Sequence, residues 1–126
     1  MDATAAAVRN AGLGTVGLLG TRYTMETDFY RGRLEKDHGL KVLVPDEPGR
    51  TVVHDVIYNE LGRGIVRDES RRRYVGIIQD LARRGAQGII LGCTEIPMLI
   101  RPEDSPIPVF DTTALHAAAA VDFALD

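Results

Sequence analysis

Apolar and polar positions along this chain fall into two alternating kinds of block. "TVGLLGT" (Thr15 to Thr21) is short and continuously apolar, with Gly at its end. A strand buried on both faces reads this way, and a half-exposed one does not. "LKVLVP" (Leu40 to Pro45), "AQGIILG" (Ala86 to Gly92) and "IPVF" (Ile107 to Phe110) predict three further strands. Between them the period lengthens to that of a helix. "MDATAAAVRNAG" predicts a first helix, rich in alanine and closed by Gly12. From Thr24, "TMETDFYRGRLEKDHG" predicts a second, with Met25, Phe29 and Leu34 near one face and Gly39 as its stop. "DEPGR" reads as a loop. "TVVHDVIYNELGRG" follows as a helix carrying Val53, Val56, Ile57, Glu60 and Leu61 at helical spacing.

The helix "RDESRRRYVGIIQDLARRG" presents Tyr74, Ile77, Ile78 and Leu81 inward and Arg71, Arg72 and Arg73 outward. Its acidic start, Asp68 and Glu69, suits the positive end of the helix dipole. A short helix is expected from Thr94. "DTTALHAAAAVDFAL" is expected as the last helix, capped by Asp111 or Thr112. Strands alternating with helices imply an α/β domain, a parallel sheet and right-handed crossovers that place helices on both faces. The expected architecture is therefore three-layered with a four-stranded parallel sheet, spanning residues 1–126 as one domain. Ligands of such sheets bind beyond the carboxyl ends of the strands. Three of those ends carry polar groups: Thr21 and Thr24; Cys93, Thr94 and Glu95; Asp111, Thr112 and Thr113.

Composition narrows the possibilities. The 126 residues are 44% hydrophobic and 26% charged, which describes a globular domain with a modest core. A net charge of −3 gives no electrostatic basis for nucleic-acid binding. No apolar run approaches the ~20 residues of a membrane span, and the first ten residues lack the apolar core of a secretory signal. The single cysteine cannot form an internal disulfide, and a reducing cytoplasm is the expected compartment. His38, His54 and His116 lie apart without metal-ligand spacing, so no metal site is expected. Lys36 and Lys41 stand near an exposed helix end and a strand start, a poor setting for a Schiff base, and no cofactor is expected. The glycines of "GLGTVG" precede a strand, whereas those of a dinucleotide fingerprint follow one.

The chemistry concentrates at Cys93. A lone cysteine is most often inert packing. Cys93 instead follows a strand, between a Gly that permits close approach and a Thr–Glu pair able to open a helix, whose N–H groups would favour a thiolate or hold a carboxylate. "LGCTEIPMLI" resembles the second cysteine motif of the aspartate/glutamate racemase family. "VGLLGTRYTMETDFYRGRL", "IYNELGRG" and "PVFDTTALHAAAAVDFAL" resemble further blocks of that family in the same order, so the likeness covers nearly the whole chain.

The resemblance implies cofactor-independent inversion of an amino acid's α-carbon in the cytoplasm. Inversion requires two acid–base groups, one on each side of a planar carbanion-like intermediate. On this resemblance Cys93 is one of those groups and Glu95 orients the thiol or the amino group. Thr94, Thr21 and Thr24 bind the substrate carboxylate. Local structure offers plainer roles: Glu95 in a first helical turn, Thr21 and Thr24 as helix caps.

The chain departs from the family in two respects. The family has two α/β lobes, each giving one cysteine; this sequence corresponds to the second lobe alone. Gly62 and Arg63 stand where some aspartate-preferring members place a lysine, which leaves aspartate and glutamate both open. Three alternatives accompany the racemase reading: a truncated lobe that binds without turnover, two copies that associate through the face left by the missing lobe, and a decarboxylase-type relative that uses one cysteine.

Overall fold

The computed structural model describes residues 2–117. The element order is α1 (Asp2–Asn10), β1 (Thr15–Leu19), α2 (Arg22–Glu26), α3 (Asp28–His38), β2 (Lys41–Leu43), α4 (Glu47–Asn59), α5 (Asp68–Arg83), β3 (Ile89–Leu91) and β4 (Val109–Asp111). Short 3-10 turns lie at Leu61–Arg63, Ile96–Met98 and Pro102–Asp104. The four strands form one parallel sheet in the order β2-β1-β3-β4. The expected α/β architecture is thus present. Residues 112–117 begin the last helix, and the remainder of "DTTALHAAAAVDFAL" lies outside the described residues.

Alternation along the strands builds two cores. Leu19, Ile89 and Leu91 face α4 and α5, packing with Val53, Val56, Ile57, Tyr74, Ile78 and Leu81. Val16, Leu18, Val42 and Ile90 face the other way, against Ala5 and Val8 of α1 and Leu34 of α3. Both faces of β1 and β3 are therefore dry, which is why their sequences read as unbroken apolar runs. Gly17 keeps the α5 side close: a Cβ there would stand 2.7 Å from Ile89 Cδ1 and 3.0 Å from Leu81 Cδ1.

Four local expectations are corrected. The helix expected from Thr24 is two helices, broken at Thr27, whose backbone is extended and whose hydroxyl donates to the Tyr23 carbonyl at 2.6 Å. The break resets the helical phase, so Phe29 points outward and is 57% exposed, while Met25 and Leu34 are buried. "DEPGR" is not a loop: Asp46 accepts a hydrogen bond from Gly49 N at 2.9 Å and caps α4, with Pro48 in the first turn, where a missing N–H is harmless. Arg71 does not simply face water, since its Nε donates to the Leu99 carbonyl at 2.9 Å and ties α5 to the segment after β3. The element after Thr94 is only the 3-10 turn Ile96–Met98.

Candidate active site

β1 and β3 are neighbours, with Leu19 opposite Leu91, so the segments leaving their carboxyl ends emerge side by side. Gly20 and Gly92 continue these two strands and leave room for Thr24. A Cβ on Gly20 would lie 2.8 Å from Thr24 Cγ2 and 2.9 Å from its Cβ; one on Gly92 would lie 3.2 Å from Thr24 Cγ2. Thr24 is accordingly buried, with its hydroxyl 3.4 Å from that of Thr21. Gly20→Ala is expected to push α2 off the strand end at a cost of about 1–3 kcal/mol. A urea titration should show the midpoint falling with the slope unchanged.

Cys93 is half-buried, and its thiol donates to Glu95 Oε2 at 2.7 Å. In a helix, residues i and i+2 do not face each other. Glu95 is the N-cap of a 3-10 turn, not an interior helical residue, and that is what lets its carboxylate fold back on the sulfur. Burial, then the bond and charge of Glu95, push the Cys93 thiol up to about 11. The amides of Glu95 and Ile96 favour the thiolate but are outweighed. The same contact, followed by a hydrogen bond from the Thr94 side chain, holds the Glu95 carboxyl below its ordinary value. The helix-terminus thiolate expected from the sequence is therefore replaced by a protonated thiol bonded to an ionised carboxylate.

The sign of this coupling gives a direct test. Only the thiolate alkylates, so the iodoacetamide reaction of Cys93 should climb about tenfold per pH unit from neutrality toward about 11. Removing the carboxylate charge in Glu95→Gln stabilises the thiolate. At pH 8 the variant should react about tenfold faster, as a fall of about one pKa unit requires. An equal or slower rate would mean that burial alone sets the thiol.

Thr21, Cys93 and Glu95 line one cavity of about 380 Å³ with Ile57, Tyr58 and Gly62. Thr24 lies behind Thr21. Thr94 is exposed and supports Glu95. Arg63 is exposed and does not line this cavity, although Gly62 beside it does. The third strand end turns elsewhere. Asp111 Oδ1 accepts from Thr113 N at 3.0 Å and Ala114 N at 3.2 Å, capping the last helix, and Thr112 donates to the Leu91 carbonyl at 2.9 Å. Thr112 and Thr113 line a separate cavity with Tyr30, Gly92 and His116.

Sequence reading missed Tyr58, which forms a wall of the Cys93 cavity and is 61% exposed. Its place in "IYNEL" next to a buried Ile57 was the available signal. His54 stacks on Tyr58 with ring centroids 4.6 Å apart, and its Nδ1 accepts from the Arg22 backbone N–H at 3.0 Å. That imidazole thus fixes the start of α2 and with it Thr21. Among the described residues no helix is long and apolar enough to cross a membrane, and no group of three or more His, Cys, Asp or Glu is placed to hold a metal ion.

A parallel sheet thus gathers a thiol, a carboxylate and threonine hydroxyls at adjacent strand ends of one α/β lobe. The chain belongs to the Asp/Glu/Hydantoin racemase family, whose model matches residues 1–120. It is similar to a Yersinia pestis protein described from its crystal structure as a candidate Asp/Glu racemase, with 52% identity and a TM-score of 0.95 over 99% of this chain. An aspartate racemase homologue from Pyrococcus horikoshii OT3 superposes with a TM-score of 0.90 at 33% identity, again over 99% of this chain. The chain spans 54% of each of those two proteins. An uncharacterized protein of Pectobacterium carotovorum is 31% identical over 116 residues, covering 90% of this chain and 75% of that one.

Proposed function

We propose that this chain forms one acid–base wall of a cofactor-independent racemase acting on aspartate, glutamate or a related amino acid. The observation that carries the reading is the Cys93–Glu95 pair, 2.7 Å apart in the cavity that Thr21 also lines. The thiol at rest holds a proton that it can deliver to a carbanion. After delivery, the thiolate is the base for the reverse direction. Glu95 is the positioning group: it fixes the sulfur's rotamer and, by its charge, raises the basicity of the thiolate once formed. Thr21, backed by Thr24, offers a hydrogen bond to the substrate carboxylate, where charge develops as the α-proton leaves. Thr94 steadies Glu95 from the solvent side.

Inversion needs a second group on the opposite face of the α-carbon. The 126 residues contain one cysteine, so a second thiol would come from another lobe or a second copy. Tyr23 and Met98, 59% and 43% exposed, lie within three residues of Thr21 and Glu95, and such apolar side chains suit a surface that another lobe covers.

Proton NMR of L-aspartate and L-glutamate in D₂O tests the reading, with chiral chromatography of the same samples. Loss of the α-proton signal in step with the D-isomer means that an opposing wall is present in the assembly. Loss with retained configuration means that the Cys93 wall exchanges on its own side. No exchange with either amino acid sinks the assignment of Cys93 as an acid–base group in this chain.

A further inference from the structure

A second cavity, of about 430 Å³, is lined in part by α2 and shares no lining residue with the Cys93 cavity. Arg22, Arg31 and Arg50 line it, together with Glu26, Glu47, Met25 and Val44. Three guanidinium groups and two carboxylates line it, and Arg31 is also paired with Glu35 one turn further along α3. Glu26 is shared: its Oε2 accepts from Arg22 Nη1 at 2.8 Å and from Arg50 Nε at 3.1 Å. Arg22 Nη2 also donates to the Thr51 hydroxyl, and Arg50 Nη1 to the Pro45 carbonyl at 2.7 Å. These bonds orient two guanidinium groups without using all five N–H donors of either.

Arg31 is held differently. Its Nε is buried without a hydrogen-bond partner, in an ion pair with Glu35 Oε1 that at 3.9 Å is too long to be a hydrogen bond, while the side chain as a whole is 34% exposed. A buried donor without an acceptor is unusual and costly in a native fold. From this orphaned donor and the two anchored guanidinium groups we infer that the cavity is a binding site for a small oxyanion, a carboxylate or phosphate group, separate from the Cys93 site. Arg22 and Arg50 form a preset fork, and Arg31 closes on the ligand from α3, in the geometry that suits guanidinium recognition of planar or tetrahedral oxyanions.

The site adjoins the Cys93 cavity without merging with it. Arg22 contributes its side chain to the anion site, while its backbone N–H rests on His54, the ring stacked against Tyr58 of the Cys93 cavity.

Calorimetric titration of the full chain with inorganic phosphate, and separately with succinate, tests the inference. Binding of at least one probe is expected, weakened about tenfold or more in Arg31→Gln, the loss of one charge-assisted hydrogen-bonded partner. Phosphate alone would point to a phosphorylated ligand, succinate to a carboxylate. Arginine side-chain Nε–H signals of the parent chain, followed by NMR, should move for Arg22, Arg31 and Arg50 on titration; this readout requires no variant to fold. Affinity unchanged in Arg31→Gln, or no binding of either probe below roughly 10 mM, or shifts confined to other arginines, would each overturn it.

Discussion

Substituting Cys93 with serine is expected to lower deuterium uptake at the substrate α-carbon by about a hundred- to ten-thousandfold, the range a positioned acid–base group contributes. Serine is nearly isosteric and its hydroxyl can still donate to Glu95, so the cavity and its hydrogen bond survive the change. What is lost is acidity: an alcohol neither gives up its proton nor returns as a base as a thiol does. The loss should therefore appear in kcat with KM little altered, the signature of a group that acts on the reacting atoms. Glu95→Gln should fall less, because the amide still accepts from the thiol while its missing charge makes the thiolate a weaker base. Deuterium uptake by the serine variant within about threefold of the parent would assign Cys93 to packing and remove it from the chemistry.

Tyr74→Ala is expected to destabilise the fold by about 3–5 kcal/mol. Tyr74 is fully buried in the core that Cys93 packs against, and its hydroxyl donates to the Val53 carbonyl at 2.6 Å. Burial, with Cys93 and Glu60 nearby, holds that phenol above its ordinary range, so it remains a donor at any working pH. Truncation leaves a cavity the size of a ring between α4, α5 and the sheet, and a domain of this size has only about 5–15 kcal/mol in total. Tyr74→Phe separates packing from the hydrogen bond. Val53 lies inside α4, where its carbonyl also takes an intrahelical bond, so losing the hydroxyl should cost only about 1 kcal/mol. Urea unfolding of both variants reads the two contributions. A Tyr74→Ala loss under about 1 kcal/mol would show that the core collapses around the deletion.

Much of the fold was legible because its signals are local. "TVGLLG" and "GIILG" are strands dry on both faces, and Gly12, Gly39 and Gly64 adopt the left-handed backbone, at φ of 78°, 68° and 77°, that ends or reverses a helical turn. The break at Thr27 was not legible, because Met25 and Phe29 keep helical spacing across it and one threonine carries no break signal. The start of α4 was obscured by Pro48, which opposes helix inside one but not in its first turn.

The placement of Cys93 at a strand end beside Thr94 and Glu95 was legible in "LGCTEIP", and the local turn that joins thiol to carboxylate was not. A helix from Thr94 would have kept Cys93 and Glu95 apart, and their contact depends on the tighter turn that the chain adopts. The slot that Gly20 and Gly92 open for Thr24 is a three-body contact between segments about 70 residues apart in sequence. Single-sequence periodicity carries no information about such a contact.

The bond from Cys93 to Glu95 has a chemical corollary outside proton transfer. Peroxide oxidises the thiolate, and each step beyond sulfenic acid is progressively harder to reverse. A sulfur on the rim of a cavity is accessible to such oxidants, but one that keeps its proton through the neutral range reacts with them slowly. The carboxylate that holds Cys93 as an acid thus also preserves it, so the contact that tunes the residue sets how long an idle site survives in an oxidising environment.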